Sequence, residues 1–117
     1  MVRDWGGKPE SSILVFGDKV PTPHSVLVNC SMGRAHDYDD FHEKGMVHTG
    51  AGITPACLAI AEKVGGVSGK DFITAVVLGI DIMARLGLSL TRNFLTTGMS
   101  ITPQSGTFAS ALVAGRL

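Results

Sequence analysis

Charge is what this chain has least of. Asp, Glu, Lys and Arg make up 17% of its 117 residues, against about 25% in ordinary globular chains, while 44% are apolar. One small domain is the expectation for this length, and so few charges cannot cover its outside. Some apolar surface should therefore face a partner or further polypeptide, as in obligate subunit contacts. Ten basic residues cancel ten acidic ones. With no basic stripe and no base-reading motif, nucleic acid is not an expected partner. Cysteine is scarce as well. Cys30 and Cys57 form no CxxC and lie among apolar or small residues, which points to buried free thiols over a disulfide. No stretch reaches eighteen uninterrupted apolar residues, and Met1 to Gly7 hold no apolar signal-peptide core. The expectation is no membrane contact and a cytoplasmic setting. A phosphate loop, a nucleophile elbow and internal repeats are also missing.

What is present is mostly helical pattern. Ser12 to Val20 reads as a brief strand and a turn, and residues 1–20 as a poorly secured N-terminal segment. Thr22-Pro23 offers a helix start for a helix running to about Arg34. Residues 36–50 have no 3.6-residue period and read as a loop, with at most one helical turn over Asp37 to Phe41. A second helix is expected from Thr54-Pro55 to Lys63, apolar nearly all round and hence central, stopped by Gly65-Gly66. Ser68 with Asp71 three positions later is a variant capping box for a third helix, Asp71 to about Leu88. Gly79 and Gly87 would each cost roughly 1 kcal/mol inside it, so close helix–helix contacts are expected there. A turn is expected at Thr96-Thr97-Gly98, then a last helix from Gly106 to Leu117, which reaches the chain end with no stop signal and reads as truncated. The fold class is all-α, with little or no sheet.

The polar side chains gather in one place. Arg34, His36, Asp37, Asp39, Asp40, His42, Glu43, Lys44 and His48 fall within fifteen residues and include three of the four histidines. Three uses fit them. Crowded carboxylates and imidazoles can abstract and return a proton beside a substrate carboxylate, because crowding pushes their proton affinities apart. The same groups are competent metal ligands, although the spacing matches neither HExxH nor a calcium loop. They could also form a solvated polar loop on a buried helical frame. Arg85, on an apolar helix, should snorkel or pair with Asp81 one turn earlier; reaching an anionic ligand is the lesser alternative. His24 stands apart.

The run Asn29-Cys30-Ser31-Met32-Gly33-Arg34-Ala35-His36-Asp37-Tyr38-Asp39-Asp40 resembles the N-G-x-x-x-H-x-x-D-(F/Y)-D-D signature of the MmgE/PrpD family. That family includes 2-methylcitrate dehydratase, cis-aconitate decarboxylase and iminodisuccinate epimerase. His48-Thr49-Gly50 with Pro55 to Glu62, Ser68 to Ala75 with Gly79 and Arg85-Leu86-Gly87, and Gly98 to Leu117 resemble three further family stretches in the same order. The likeness covers practically the whole chain from about Gly7, and corresponds to roughly the front quarter of a family member. It implies that residues 21–117 are part of the family's large helical domain.

The resemblance also implies chemistry: a carbon–oxygen lyase (dehydratase) without a cofactor or metal, acting on a small di- or tricarboxylate such as 2-methylcitrate. Decarboxylation, epimerisation and a non-catalytic remnant are the alternatives. Carried over by motif, Asp37 is the active-site carboxylate, His48 the imidazole that handles a proton, and Asp40 a supporting residue. Arg34, His36, Lys44, Arg85 and Ser100 are the substrate-binding candidates. Arg34 stands where the family has a histidine, Phe41 where it has threonine, Thr49 where it has proline, and Ser100 where it has histidine. The later lysines and tyrosine of family enzymes have no counterpart here, so a chain inactive alone, completed by a homo-oligomer or a complementing polypeptide, is expected.

Overall fold

The computed structural model describes residues 1–90 and 98–117. Among these described residues four α-helices carry the fold: α1 (Thr22–Arg34), α2 (Gly50–Val64), α3 (Gly69–Ser89) and α4 (Ile101–Arg116). A two-stranded antiparallel hairpin, β1 (Ser11–Ser12) with β2 (Lys19–Val20), pairs Ser11 with Val20. Short 3-10 turns cover Val2–Trp5 and Glu43–Gly45. The all-α class holds, with this hairpin as the small sheet.

α2 is central and packs on α1, α3 and α4. Its apolar circumference is the reason: Ile53, Ala56, Cys57 and Ala59 are all buried, and the core adds Val47, Ala75, Met83, Ile101, Ala109 and Val113. Each fully buried large side chain among these contributes roughly 1.5–3 kcal/mol. Gly79 is where three helices meet. A Cβ there would lie 2.6 Å from both Ile53 Cγ2 and Val113 Cγ1, so only a bare backbone permits this spacing.

Helix starts depart from the local signals. α2 begins at Gly50, four residues before Thr54, and Pro55 sits inside it, unable to donate to the carbonyl of Ala51. α4 begins at Ile101, so Pro103 falls in its first turn, where the missing N–H costs nothing. α3 follows its signal closely. Ser68 Oγ accepts from Asp71 N–H at 3.1 Å and donates to the Asp71 carboxylate at 2.6 Å. The turn expected at Thr96-Thr97-Gly98 lies, for its first two positions, outside the described residues; Gly98 has φ +66°.

Residues 1–20 attach to the helices through distant partners. Ser11 Oγ donates to the Ala59 carbonyl at 2.8 Å, and Asn29 accepts from Leu14 N–H while donating to the Ser12 carbonyl. Val2, Ile13 and Val20 bury themselves against Val28 and Met32. Glu62 takes both the N–H and the hydroxyl of Ser12 at 2.6 Å and pairs with Lys19 at 2.6 Å. The Lys19 hydrogen bond, then that of the Ser12 hydroxyl, holds the Glu62 carboxyl down at about 2 against the ordinary 4.5. A depressed carboxyl stabilises the fold above its unfolded value and loses that contribution as pH falls through the folded one. Amide protection across residues 11–20, measured against the intrinsic exchange rate at each pH, is therefore expected to fall between about pH 4.5 and about pH 2. In Glu62→Gln that acid-driven loss of protection should disappear; identical protection profiles for the two proteins would rule the anchor out.

The apolar surface expected from the charge deficit is there. Ile73 and Val77 on α3 and Phe108 on α4 are each more than half exposed. Among the described residues α3 is the one helix long and apolar enough to cross a bilayer. Its Ala75, Gly79, Met83 and Gly87 stripe, however, is buried in the chain's own core.

Candidate active site

The polar cluster is built by a reversal at the end of α1. Asp37 N–H closes onto the Arg34 carbonyl at 3.2 Å, and Asp37 takes φ +53°, a left-handed conformation that a short polar side chain tolerates. The chain then folds back so that two carboxylates converge on one guanidinium. Arg34 Nη1 lies 3.0 Å from Asp37 Oδ1 and 3.1 Å from Asp39 Oδ1. The two carboxylates differ sharply in solvation: the Asp37 side chain is 74% exposed, that of Asp39 only 7%.

His48 arrives from the other side. His42 and Val47 pair across the 3-10 turn, and His42 Nδ1 accepts from Gly45 N–H at 3.0 Å. His42 is thereby a structural acceptor. Val47 is fully buried and fixes the backbone that carries His48, whose N–H donates to Thr102 Oγ1 at 3.2 Å. The His48 ring stacks at a tilt on Phe41, centroids 4.8 Å apart. Its Nδ1 is buried 3.3 Å from Asp39 Oδ2 and makes no hydrogen bond.

Asp40 turns away from this group. Its Oδ1 accepts from Gly50 N–H at 2.7 Å, and its Oδ2 accepts from the N–H and the hydroxyl of Thr49. Burial pushes the Asp40 carboxyl up, but the Thr49 hydroxyl and the two N–H groups outweigh it, and the net position is below the ordinary carboxylate range. Asp40 thus caps α2 from ten residues away, where the helix N-terminus favours a negative charge.

Two hollows meet at the cluster. The larger, about 470 Å³, runs from Arg34 and His48 past Ala51, Gly52, Met83 and Gly106. The smaller, about 250 Å³, is walled by Phe41, Met46, Ser100 and Ile101. Arg34, His48 and Thr102 line both and so form the rim between them. Of the candidate residues, the fold brings Arg34, Asp37, His48 and Ser100 to this rim or its neighbourhood. His36 is exposed with its ring 6.0 Å from that of Tyr38, and Lys44 is exposed on the 3-10 turn. Arg85 pairs with Asp81 at 2.7 Å on the outer face of α3, the i–4 partner its position predicts. His24 packs edge-on against Trp5.

Asp39 is the site residue that sequence reasoning did not single out. Three aspartates in four positions look alike until the turn at Asp37 decides which one is buried. Thr102 was not singled out either, since it meets His48 across 54 positions. Asp37, Asp39 and His48 each present a ligand atom within 4.8 Å of the others, enough to hold a cation in principle. Arg34 already occupies the space a cation would neutralise, and a metal would have to displace it.

Comparison with known proteins supplies the family. The N-terminal domain model of the MmgE/PrpD family matches residues 1–117. A cis-aconitate decarboxylase-like protein, oryM, of Aspergillus oryzae is 25% identical over 99% of this chain and 26% of its own length. Cis-aconitate decarboxylase of Aspergillus terreus is 26% identical over 90% of this chain and 22% of its own length. The chain therefore spans about a quarter of the curated relatives it matches. No solved structure matches it. With the family's N-terminal domain model covering its full length, the chain belongs to the MmgE/PrpD family.

Proposed function

We propose that this chain supplies the proton-handling part of a lyase site for a small polycarboxylate, with His48 as the group that moves the proton. The observation that carries this is the buried Asp39 carboxylate set between Arg34 and His48 at the edge of a hollow. Asp39 Oδ2 lies 3.3 Å from the buried Nδ1, which makes no hydrogen bond in the structure, so a small ring rotation would let the carboxylate accept from Nδ1–H and orient the imidazole. Arg34 makes its contacts to Asp37 and Asp39 through Nη1, which leaves Nη2 and Nε to grip a substrate carboxylate.

Decarboxylation is the favoured reaction, because both relatives are named for it. The bond from the substrate carbon to its carboxylate breaks and CO₂ leaves. The electron pair stays on that carbon, and a proton delivered from His48 ends there; the imidazole is reprotonated from solvent. Dehydration of a citrate-like acid differs in that a base takes the α-proton and the hydroxyl leaves as water. The two carboxylates of the cluster face one guanidinium, so a polycarboxylate needs further cations to bind and to stabilise its transition state. A second copy or a complementing polypeptide is the source we assign to them.

Titration of isotope-labelled chain with cis-aconitate is the direct test. Shifts are expected at Arg34, His48 and Thr102, and Arg34→Gln should abolish them. Where the completed assembly turns over, His48→Gln should lower kcat by about 10²–10⁴-fold, the usual contribution of a positioned acid, and Asp37→Asn should also abolish turnover while leaving the fold intact. Mass spectrometry of the product distinguishes loss of CO₂ from loss of water. Saturating cis-aconitate with no shift at His48 would remove it from the site.

A further inference from the structure

One oxygen at the rim has two claimants. Asp39 Oδ2 lies 3.3 Å from Arg34 Nη1 and 3.3 Å from His48 Nδ1. Only the first contact is a hydrogen bond: Nη1 donates to Oδ1 at 3.1 Å and to Oδ2 at 3.3 Å, while the buried Nδ1 has no partner. Among the described residues Arg34 is the one donor bonded to this nearly buried carboxylate. Its guanidinium is crowded in turn. Nη1 carries two hydrogens, yet Asp37 Oδ1 also stands 3.0 Å from it. A buried nitrogen left without a partner is costly, so the ring gains whenever Oδ2 becomes free to accept from it.

From this shared oxygen we infer that Asp39 is a positioning residue which the ligand hands from Arg34 to His48. An acid held on Nη2 and Nε of Arg34 loosens the Nη1 contact to Oδ2, and a small ring rotation then lets Oδ2 accept from His48 Nδ1–H. This rests on the proposed function, since it needs an acid at Arg34 and a proton at His48. The contact given up is the longer of the two, so Asp39 stays paired through Oδ1 and no charge is stranded. Arg34 is within reach of the acid because it lines both hollows. A neutral ring that donates from Nδ1 keeps its lone pair on Nε2. The arriving acid thus sets the imidazole in the form that exchanges a proton at that nitrogen. Arg34 departs from the histidine of the family signature, so this coupling is a feature of the present chain.

The test reads the His48 ring by NMR in the full chain, isotope-labelled in its histidines and arginines and titrated with cis-aconitate. At saturation the Nδ1–H resonance of His48 should move downfield and exchange with water more slowly than in the acid-free chain, the signs of a hydrogen bond to a carboxylate. Arg34→Met keeps the stem and removes every donor. It should show the downfield resonance with no acid present, and cis-aconitate should leave it unmoved. Asp39→Asn should show it in neither state. Where a variant fails to fold, the titration of the parent decides alone. Movement of the Arg34 guanidinium resonances without any change at Nδ1–H would overturn the hand-over and leave the acid-binding function standing. No change at Arg34 would overturn both, the acid having no seat. A downfield Nδ1–H already present in the acid-free parent would show Asp39 serving both groups at once. That result, or persistence of the resonance in Asp39→Asn, would also overturn the proposal.

Discussion

Gly87→Ala is expected to destabilise the chain by about 1–3 kcal/mol, the cost of forcing a methyl into a filled space. A Cβ at this position would lie 2.6 Å from the Gly45 carbonyl oxygen and 3.0 Å from Val47 Cγ1. The nearest atom belongs to backbone, so no rotamer change relieves the collision. Helix propensity acts the other way, favouring alanine by up to about 1 kcal/mol, but a clash with the 3-10 turn should exceed it. That turn is held by Gly45 N–H on His42 and by the fully buried Val47. The residue after Val47 is His48, so the displacement should reach the rim. Thermal unfolding should fall by several degrees at this chain length, and the His48 resonances should move. Gly106→Ala is the control, because its Cβ meets only Met83 Cε at an ordinary 3.5 Å; it should be neutral or mildly stabilising. A Gly87→Ala protein as stable as its parent would show that the turn yields freely.

What was legible in the sequence is what lies close along it. Ser68 and Asp71 are three apart, Arg85 and Asp81 four apart, and both pairs form as their spacing dictates. Gly79 and Gly87, costly in a helix, do mark close approaches. The polar cluster could be located but not resolved. Its geometry depends on a left-handed φ at Asp37, and nothing local tells which of three aspartates the resulting turn will bury. The same limit explains the helix starts. α2 opens four residues early because its cap is Asp40, a partner outside the helix, whereas Thr54-Pro55 shows a signal that the fold does not use. Residues 1–20 look unattached for a similar reason: their partners Ala59 and Glu62 lie 48 and 50 positions away.

The three aspartates therefore divide one motif into separate tasks. Asp37 faces solvent and can meet a ligand, Asp39 braces Arg34 and His48 from within, and Asp40 builds the helix beneath. Equal substitution at the three should give unequal consequences. Asp39→Asn removes the charge against both Arg34 and His48, so its effect should appear in ligand binding and in the orientation of the imidazole.

Asp40→Ala should instead appear in stability, with a loss of roughly 2 kcal/mol, near the top of what removal of a cap costs. Both N–H groups and the Thr49 hydroxyl lose their acceptor together. The Thr49 hydroxyl is poorly placed to substitute, since Thr49 holds a helical backbone (φ −87°, ψ −44°) instead of the extended one a capping side chain uses, and makes no capping bond of its own. Gly50 belongs to the same device: a Cβ there would run into the Asp40 carboxylate, so Gly50→Ala should mimic part of the loss. The pH dependence has a defined sign. The Asp40 carboxyl lies below its ordinary value in the fold, so its contribution is complete at neutral pH and fades as pH falls below the ordinary carboxylate range. Asp40→Asn keeps one acceptor and no charge, and should flatten that acid limb in denaturant titrations run at successive pH values. Ligand binding by the folded fraction of Asp40→Asn should stay near that of the parent. If binding instead collapsed while stability held, Asp40 would belong with Asp39 at the rim, and α2 would need another source for its start.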